Sequence, residues 1–287
     1  MCSISGIVNG DLKSLKLISN YQRHRAPDDI GFYQNNNVFI GMGRLKIIDL
    51  KSKNLCPYID NQLVISYNGE IYNYLELKEE LKKLKWKFKT NSDLEVLAIS
   101  WKQWGIKMFQ KLNGMYAFAI WDRKNKELLL ARDRFGEKPL YWGEQGELVL
   151  FGSECTSLLA HSAFDPKLQI EAIQTYFAWG YLASPLTLYK EVKKIEPGTM
   201  LRYQLDSRRK DVTRWWDFKL EPDEVMEDLP EEELALEFRR LMEQAVDRRL
   251  VSDVPIGLFL SGGLDSSVIM AAASKRVPVG QLRAFTI

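Results

Sequence analysis

Apolar and polar residues alternate in DIGFYQNNNVFIGMG, in NQLVISYNG and in GMYAFAIWDRKNKELLLARD, and this period of two predicts strands. The Arg-Lys-Asn-Lys centre of the third stretch reads as a hairpin turn, and PLYWGEQGELVLFGSE reads as a second hairpin with Gln-Gly at its turn. Between these strands YNYLELKEELKKLKW and SDLEVLAISWKQWG carry apolar residues at helical spacing, the latter opened by Ser92 and Asp93 as N-cap candidates. Antiparallel hairpins interleaved with helices predict an α+β layered domain over residues 2–205.

The pattern then changes. Residues 206–230 pass through a basic cluster, a tryptophan pair and an acidic run, which reads as a connector. EEELALEFRRLMEQAVDRRLV is a long amphipathic helix, and VPIGLFLSGGLDSSVIMAAASK runs from an apolar strand through a Gly-Gly turn into another helix. This βα unit of a parallel sheet marks a second domain over 231–287. About sixty residues supply only two strands and two helices, short of a covered parallel sheet, so the expectation is an incomplete domain in a C-terminally truncated chain.

Composition narrows the partners. Among 287 residues, 46% are hydrophobic, enough for packed cores, and 40 basic against 38 acidic residues leave no field to hold nucleic acid or an anionic membrane. No apolar run approaches the ~18 residues of a bilayer span and no leader pattern precedes one, so the expected location is the cytoplasm. Cys2, Cys56 and Cys155 are scattered, which argues for reduced thiols over a disulfide framework.

Histidine is scarce: only His24 and His161 occur, which counts against Cys/His or Ser/His/Asp catalysis and against a mixed Cys/His zinc site. His161 reads as an ordinary surface or satisfied histidine, and Cys56 and Cys155 as buried or inert. A nucleophile at Cys2 has one other base within reach. Once Met1 is removed, its own α-amino group, with an ordinary pKa of about 7.7–8.0, can take the thiol proton.

In SGGLDSS the glycines allow a tight turn, backbone amides and the helix N-terminus point at an anion, and serine hydroxyls add donors, an arrangement that fits pyrophosphate. The stretch resembles the SGGxDS signature of ATP pyrophosphatases. With Cys2 and the blocks RHRAPDDIG, RLKIIDL, YNGEIYN, TNSDLEV, LNGMYAFAIWD and RDRFGEKPLYW in the same order, the chain resembles glutamine-hydrolysing asparagine synthetases and related amidotransferases over nearly its whole length.

That resemblance implies a four-layer αββα N-terminal nucleophile hydrolase sandwich, followed by the beginning of an α/β ATP pyrophosphatase domain. It makes Cys2 the nucleophile on the glutamine side-chain amide. The Asn68 side chain and the Gly69 N–H become the oxyanion donors, although Asn-Gly after an apolar strand is also a common hairpin turn. Arg44, Leu45, Lys46, Ile47, Ile48, Asn68, Gly69, Glu70 and Asp93 are implied as glutamine contacts, Arg44 for the α-carboxylate and Asp93 for the α-ammonium. ATP is implied at Phe259, Ser261, Gly262, Gly263, Asp265, Ser266 and Ile287, with Asp265 as a Mg²⁺ ligand. Ammonia released at Cys2 would travel through a sheltered passage to an acyl-adenylate of aspartate or another carboxylate, the truncated chain keeping the glutaminase half. RDRFGEKPLYW and GMYAFAIWD read as structural, holding sheets together or lining a route between sites. Ala26 stands where the family usually has glycine, which matters if a positive φ is needed there. A sugar acid as acceptor, a catalytically idle binding module, and pairing as a homodimer stay open.

Overall fold

A computed structural model of the chain describes residues 1–52, 55–278 and 280–286. They form two compact units, Met1–Lys46 with Lys51–Asp217, and Ile47–Leu50 with Phe218–Ile287.

The strands of the first unit are β1 (Ser3–Val8), β2 (Asp29–Gln34), β3 (Val38–Arg44), β4 (Tyr58–Ile59), β5 (Leu63–Ile71) and β6 (Gly114–Asp122). They continue with β7 (Glu127–Arg132), β8 (Tyr141–Gln145), β9 (Leu148–Gly152), β10 (Val192–Lys194), β11 (Thr199–Gln204) and β12 (Lys210–Arg214). Two six-stranded sheets result, ordered β10-β8-β9-β1-β3-β2 and β12-β11-β7-β6-β5-β4. Every neighbouring pair is antiparallel.

Alternation decides what each face meets. Ile4 and Val8 of β1, with Val149 and Phe151 of β9, turn inward against Val64, Ala119, Trp121 and Leu130 of the second sheet. Gly6 is the inward residue between Ile4 and Val8, and it has no side chain because the Phe151 ring fills that space, 1.8 Å from where a Cβ would sit. The outer face of the first sheet carries Ile7, Phe39 and Leu150, covered by α1 (Leu12–Tyr21) and by α5 (Cys155–Leu158). Among the intervening helices α2 (Tyr74–Lys83), α3 (Asp93–Trp104) and α4 (Met108–Lys111), α2 packs on α3 and α3 lies on β5, covering the second sheet. The layers are therefore helix, sheet, sheet, helix, as the resemblance implies. A further helix, α6 (Ile170–Trp179), ends at Gly180 in the left-handed conformation.

The hairpins fall where the alternation places them, with one shift of detail. The β8–β9 turn is Gly146–Glu147, with Gly146 at φ 62°, and Gln145 closes β8. The expected boundary at 205 lies inside another hairpin, because Lys210–Arg214, read as connector, is strand β12 paired to β11. Its charged residues suit an edge strand, which is protected from further pairing by charge. The tryptophan pair follows it, and Trp215 stacks on Phe109 at 4.7 Å, so the first unit extends to Asp217.

RDRFGEKP is held by a polar knot. Asp133, 1% exposed, accepts from the backbone N–H groups of Tyr116, Phe135, Glu137 and Lys138 at 2.9–3.1 Å. Beside it the Arg132 guanidinium donates to the carbonyls of Lys138, Ile195 and Gly136 at 2.7, 2.8 and 2.6 Å. These contacts give the Arg/Asp pair the expected role of tying strands and loop together.

The second unit contains α7 (Glu224–Glu227), α8 (Glu231–Arg249), β13 (Gly257–Phe259), α9 (Leu264–Ser274) and β14 (Arg283–Phe285), with β13 parallel to β14. Val246, Ala272 and Ala273 are its buried core, with Leu250, Leu258, Ile269 and Leu282 packed against them. The acidic run opens α8 and Arg248 and Arg249 close it, both favourable to the helix dipole. Within this unit the Asp253 N–H donates to the Ile47 carbonyl at 3.0 Å, and the Asp49 N–H donates to Asp253 Oδ2 at 2.7 Å. Among the described residues no helix is long and apolar enough to cross a membrane.

Candidate active site

Cys2 immediately precedes β1 and shares the parity of Ile4, Gly6 and Val8, which turns it toward the second sheet. The strand behind it is paired on both sides, to β3 and to β9, so the second residue of the chain is anchored where a terminus would otherwise fray. Its Sγ lies 3.7 Å from the Leu45 carbonyl, and its own carbonyl accepts from Arg25 Nε at 3.3 Å. Burial pushes the thiol pKa above the ordinary cysteine value. The terminal amine, on Met1 in this form of the chain, is pushed down by burial, and the charges of Arg25 and Lys138 act in the same sense. Met1 itself is 53% exposed, open to removal.

Asn68 and Gly69 lie within β5 and form no hairpin turn: they pair in register with Ala117 and Tyr116 of β6. Asn68 shares the parity of Ser66, whose hydroxyl donates across the sandwich to the Gly41 carbonyl at 2.8 Å, so the Asn68 side chain points between the sheets. It is 1% exposed, and its Nδ2 has no acceptor among the described residues. The backbone of Gly69 has its own direction. Tyr116 opposite it sends both its N–H and its C=O to Asp133, at 3.1 and 2.8 Å. Gly69 and Tyr116 are thus a non-hydrogen-bonded pair, and the Gly69 N–H faces away from β6. Two residues on, the Ile71 N–H has the same orientation and donates to Asp93 Oδ2 at 3.1 Å. Any side chain at Gly69 would meet the Met115 carbonyl, 2.2 Å from the Cβ position.

Charged groups surround this edge. Ser92 caps α3 by accepting from the Leu94 N–H, which leaves Asp93 as the first helical residue. Asp93 is buried, accepts from the Tyr67 hydroxyl at 2.7 Å, and has its carboxyl pKa raised by burial against these hydrogen bonds. Arg44 closes β3, is 6% exposed, donates to the Ser52 carbonyl at 3.4 Å, and its charge acts on both Asp93 and Cys2. Glu70, half-buried, is raised by burial and by the charge of Asp93, and Lys138 opposes the rise. A thiol, an orphaned amide donor, a guanidinium and two carboxylates therefore occupy one electrostatic neighbourhood, with charges suited to a zwitterion.

The other expected glutamine contacts follow β3 directly. Lys46 is held by Asp29 at 2.8 Å, its N–H donates to Asp28, and Ile47 and Ile48 fall in the second unit. Leu45 contributes its carbonyl. Tyr67, Lys138 and Arg25 are present without having been anticipated from the sequence. For Tyr67 the signal was parity, since the residue before Asn68 must face α3. Ala26 has φ −140° and needs no glycine; its methyl packs where Gly43 lacks one, 2.6 Å from that Cβ position. His24 meets Glu154 at 2.9 Å. His161 departs from expectation: it is 6% exposed, burial lowers its pKa, and its Nε2 has no partner among the described residues. Cys56 and Cys155 are half-buried, and burial raises their thiols to about 12 and about 11, consistent with inert sulfur.

In the second unit SGGLDSS joins β13 to α9. Gly262 has φ 81°, which favours glycine, and Gly263 is the extended N-cap of α9. Ser266 Oγ lies 3.1 Å from Ser261 Oγ and donates to the Gly263 carbonyl at 3.1 Å, closing the loop on itself. Asp265 stands in the first turn of α9, Phe259 is 77% exposed, and Ile287 lies outside the described residues. Among the described residues no group of three or more His, Cys, Asp or Glu side chains is placed to hold a metal ion.

Two antiparallel sheets between helices, with a cysteine leading one of the two central strands of one sheet and a buried amide donor pointing inward from the other, define an N-terminal nucleophile hydrolase sandwich. The glutamine amidotransferase domain profile matches residues 1–216, and the asparagine synthase profile matches residues 237–287. The chain belongs to the glutamine amidotransferase domain family. It is 36% identical over its full length to asparagine synthetase (glutamine-hydrolysing) 1 of Bacillus subtilis, covering 46% of that protein, and 36% identical to a relative from Methanocaldococcus jannaschii, covering 59% of it. The chain thus spans about half the length of these curated relatives. In fold it is similar to the glutamine phosphoribosylpyrophosphate amidotransferase of B. subtilis, solved with ADP and GMP, with a TM-score of 0.54 and 18% identity over 99% of this chain and 65% of the other.

Proposed function

We propose that the first unit hydrolyses glutamine to glutamate and ammonia at Cys2. The observation that carries this reading is the buried Asn68 Nδ2, without an acceptor among the described residues, on the strand whose Gly69 N–H also turns from its neighbour. A buried donor left unmade costs about 1–3 kcal/mol, which an oxyanion at this edge offsets. Removal of Met1 puts a free amine on Cys2. It takes the thiol proton, and sulfur attacks the side-chain amide carbon. Asn68 and Gly69 hold the oxyanion, and the proton returns to the departing nitrogen as ammonia leaves. Water then cleaves the thioester, releasing glutamate. Arg44 takes the α-carboxylate, Asp93 the α-ammonium, and Glu70 borders the bound substrate.

The longer protein to which such a chain corresponds uses that ammonia to convert aspartate to asparagine through an acyl-adenylate. The names of the relatives and the asparagine synthase match support this. The SGGLDSS backbone amides and serine hydroxyls would hold the phosphates of ATP, and Asp265, the one carboxylate of that loop, would help hold the Mg²⁺ that neutralises their charge. A single carboxylate suits a metal carried by phosphates rather than by the chain alone.

The test is ammonia release from glutamine by the native chain and by Cys2→Ala, with intact mass to follow Met1. Turnover that requires both the thiol and the loss of Met1 supports the reading. Turnover that survives Cys2→Ala overturns it.

A further inference from the structure

At the other end of β1 from Cys2, hairpin turns of both sheets surround a cleft of about 570 Å³, within the ~300–1,000 Å³ usual for small-molecule sites. Cys2 precedes this six-residue strand and Asn9 follows it, so about 20 Å separates the cleft from the nucleophile at a rise of about 3.3 Å per residue.

The rim is already ordered. Asn9, at φ 60°, donates through its N–H to the Asn37 carbonyl at 2.8 Å and through Nδ2 to the Glu147 carbonyl at 2.9 Å, while Asn37 Nδ2 donates to Asn9 Oδ1 at 3.0 Å. Both carboxylates of the cleft are neutralised, Asp206 by Lys126 at 3.0 Å and Glu147 by Arg208 at 2.5 Å. Arg123 is left over. Its backbone N–H is fixed on the Gln62 carbonyl, its guanidinium has no ion pair among the described residues, and its Nε is buried without an acceptor. Trp121, 2% exposed and lining the cleft, has an indole Nε1–H that also lacks an acceptor among the described residues.

Two buried N–H donors and an uncompensated positive charge, within a preset rim of amides, call for a small oxyanion. The geometry points to a second ligand site here, distinct from the glutamine pocket, that binds a carboxylate- or phosphate-bearing metabolite through Arg123 and Trp121. The amide rim then meets the polar remainder of the ligand.

Calorimetry and indole N–H resonances of the full 287-residue chain, titrated with sodium succinate or sodium phosphate at fixed ionic strength, test this. Saturable binding is expected, with a shift of the resonance that Trp121→Phe removes. Arg123→Gln should weaken binding at least tenfold and leave glutamine hydrolysis within twofold, whereas Arg44→Gln should retain binding. A response to succinate alone assigns a carboxylate ligand, and one to phosphate alone a phosphorylated ligand; both support the site. No saturable response to either anion, or equal binding by Arg123→Gln, overturns it.

Discussion

The Tyr67 hydroxyl donates to Asp93 Oδ2 at 2.7 Å, and both groups are buried. One residue of β5 therefore reaches outward to fix an acid on α3 while the next, Asn68, points between the sheets. Tyr67→Phe removes one hydrogen bond to a charged group, worth about 1.5–3 kcal/mol. The KM for glutamine is expected to rise roughly 10- to 100-fold with kcat changed only a few-fold, because the loss falls on substrate positioning. Steady-state kinetics at saturating and limiting glutamine separates the two.

Asn68→Ala deletes one oxyanion donor and also the buried orphan that accompanies it. The expected cost is about 10²–10³ in kcat, with the fold unchanged or slightly more stable. Ammonia release and urea denaturation of the same variant check both halves; a tenfold or smaller loss in kcat would count against the assigned role.

The acid limb of the rate profile follows from the terminal amine. Burial, with Arg25 and Lys138 acting in the same sense, pushes the Met1 amine below its ordinary value; the Cys2 amine that processing frees lies one residue nearer β1 and is expected to shift in the same direction, its neutral, proton-accepting form persisting to lower pH. Activity should fall on acidification through a midpoint under the usual α-amine range of about 7.7–8.0. Lys138→Met removes a positive charge that disfavours the ammonium form, and the midpoint should move upward. A profile of kcat/KM between pH 5 and 9 on the Met1-processed enzyme reads it directly.

Asp133→Ala leaves four backbone N–H groups without their carboxylate. Loss of about 3–5 kcal/mol in urea-induced unfolding is expected, the scale of a broken buried charge network. Because Asp133 also holds the Lys138 N–H, and Lys138 acts on the terminal amine and on Glu70, the surviving folded protein should also hydrolyse glutamine more slowly.

Much of this arrangement was legible in the chain. Period-two stretches located the hairpins, and Ser92 with its following apolar run located α3. Other features depended on tertiary partners. The outward N–H of Gly69 follows from the register of β5 on β6, which places it opposite Tyr116 in a non-hydrogen-bonded pair, and no local pattern reports that register. β12 carries charge on an edge and so resembled a connector. His161 looked superficial because no local pattern reports that Gly10 and its neighbours close over it, with its Nε2 only 3.6 Å from where a Gly10 Cβ would lie.

β1 is flanked by partners on both sides, and its first rung begins one residue after Cys2. Under the proposed mechanism, this holds the Cys2 sulfur directly behind the first rung and makes a free amine on residue two a requirement for turnover. On that reading, an uncleaved affinity tag joined ahead of residue two should keep the sandwich intact and silence hydrolysis, while the same tag placed elsewhere on the chain leaves the amine unaltered.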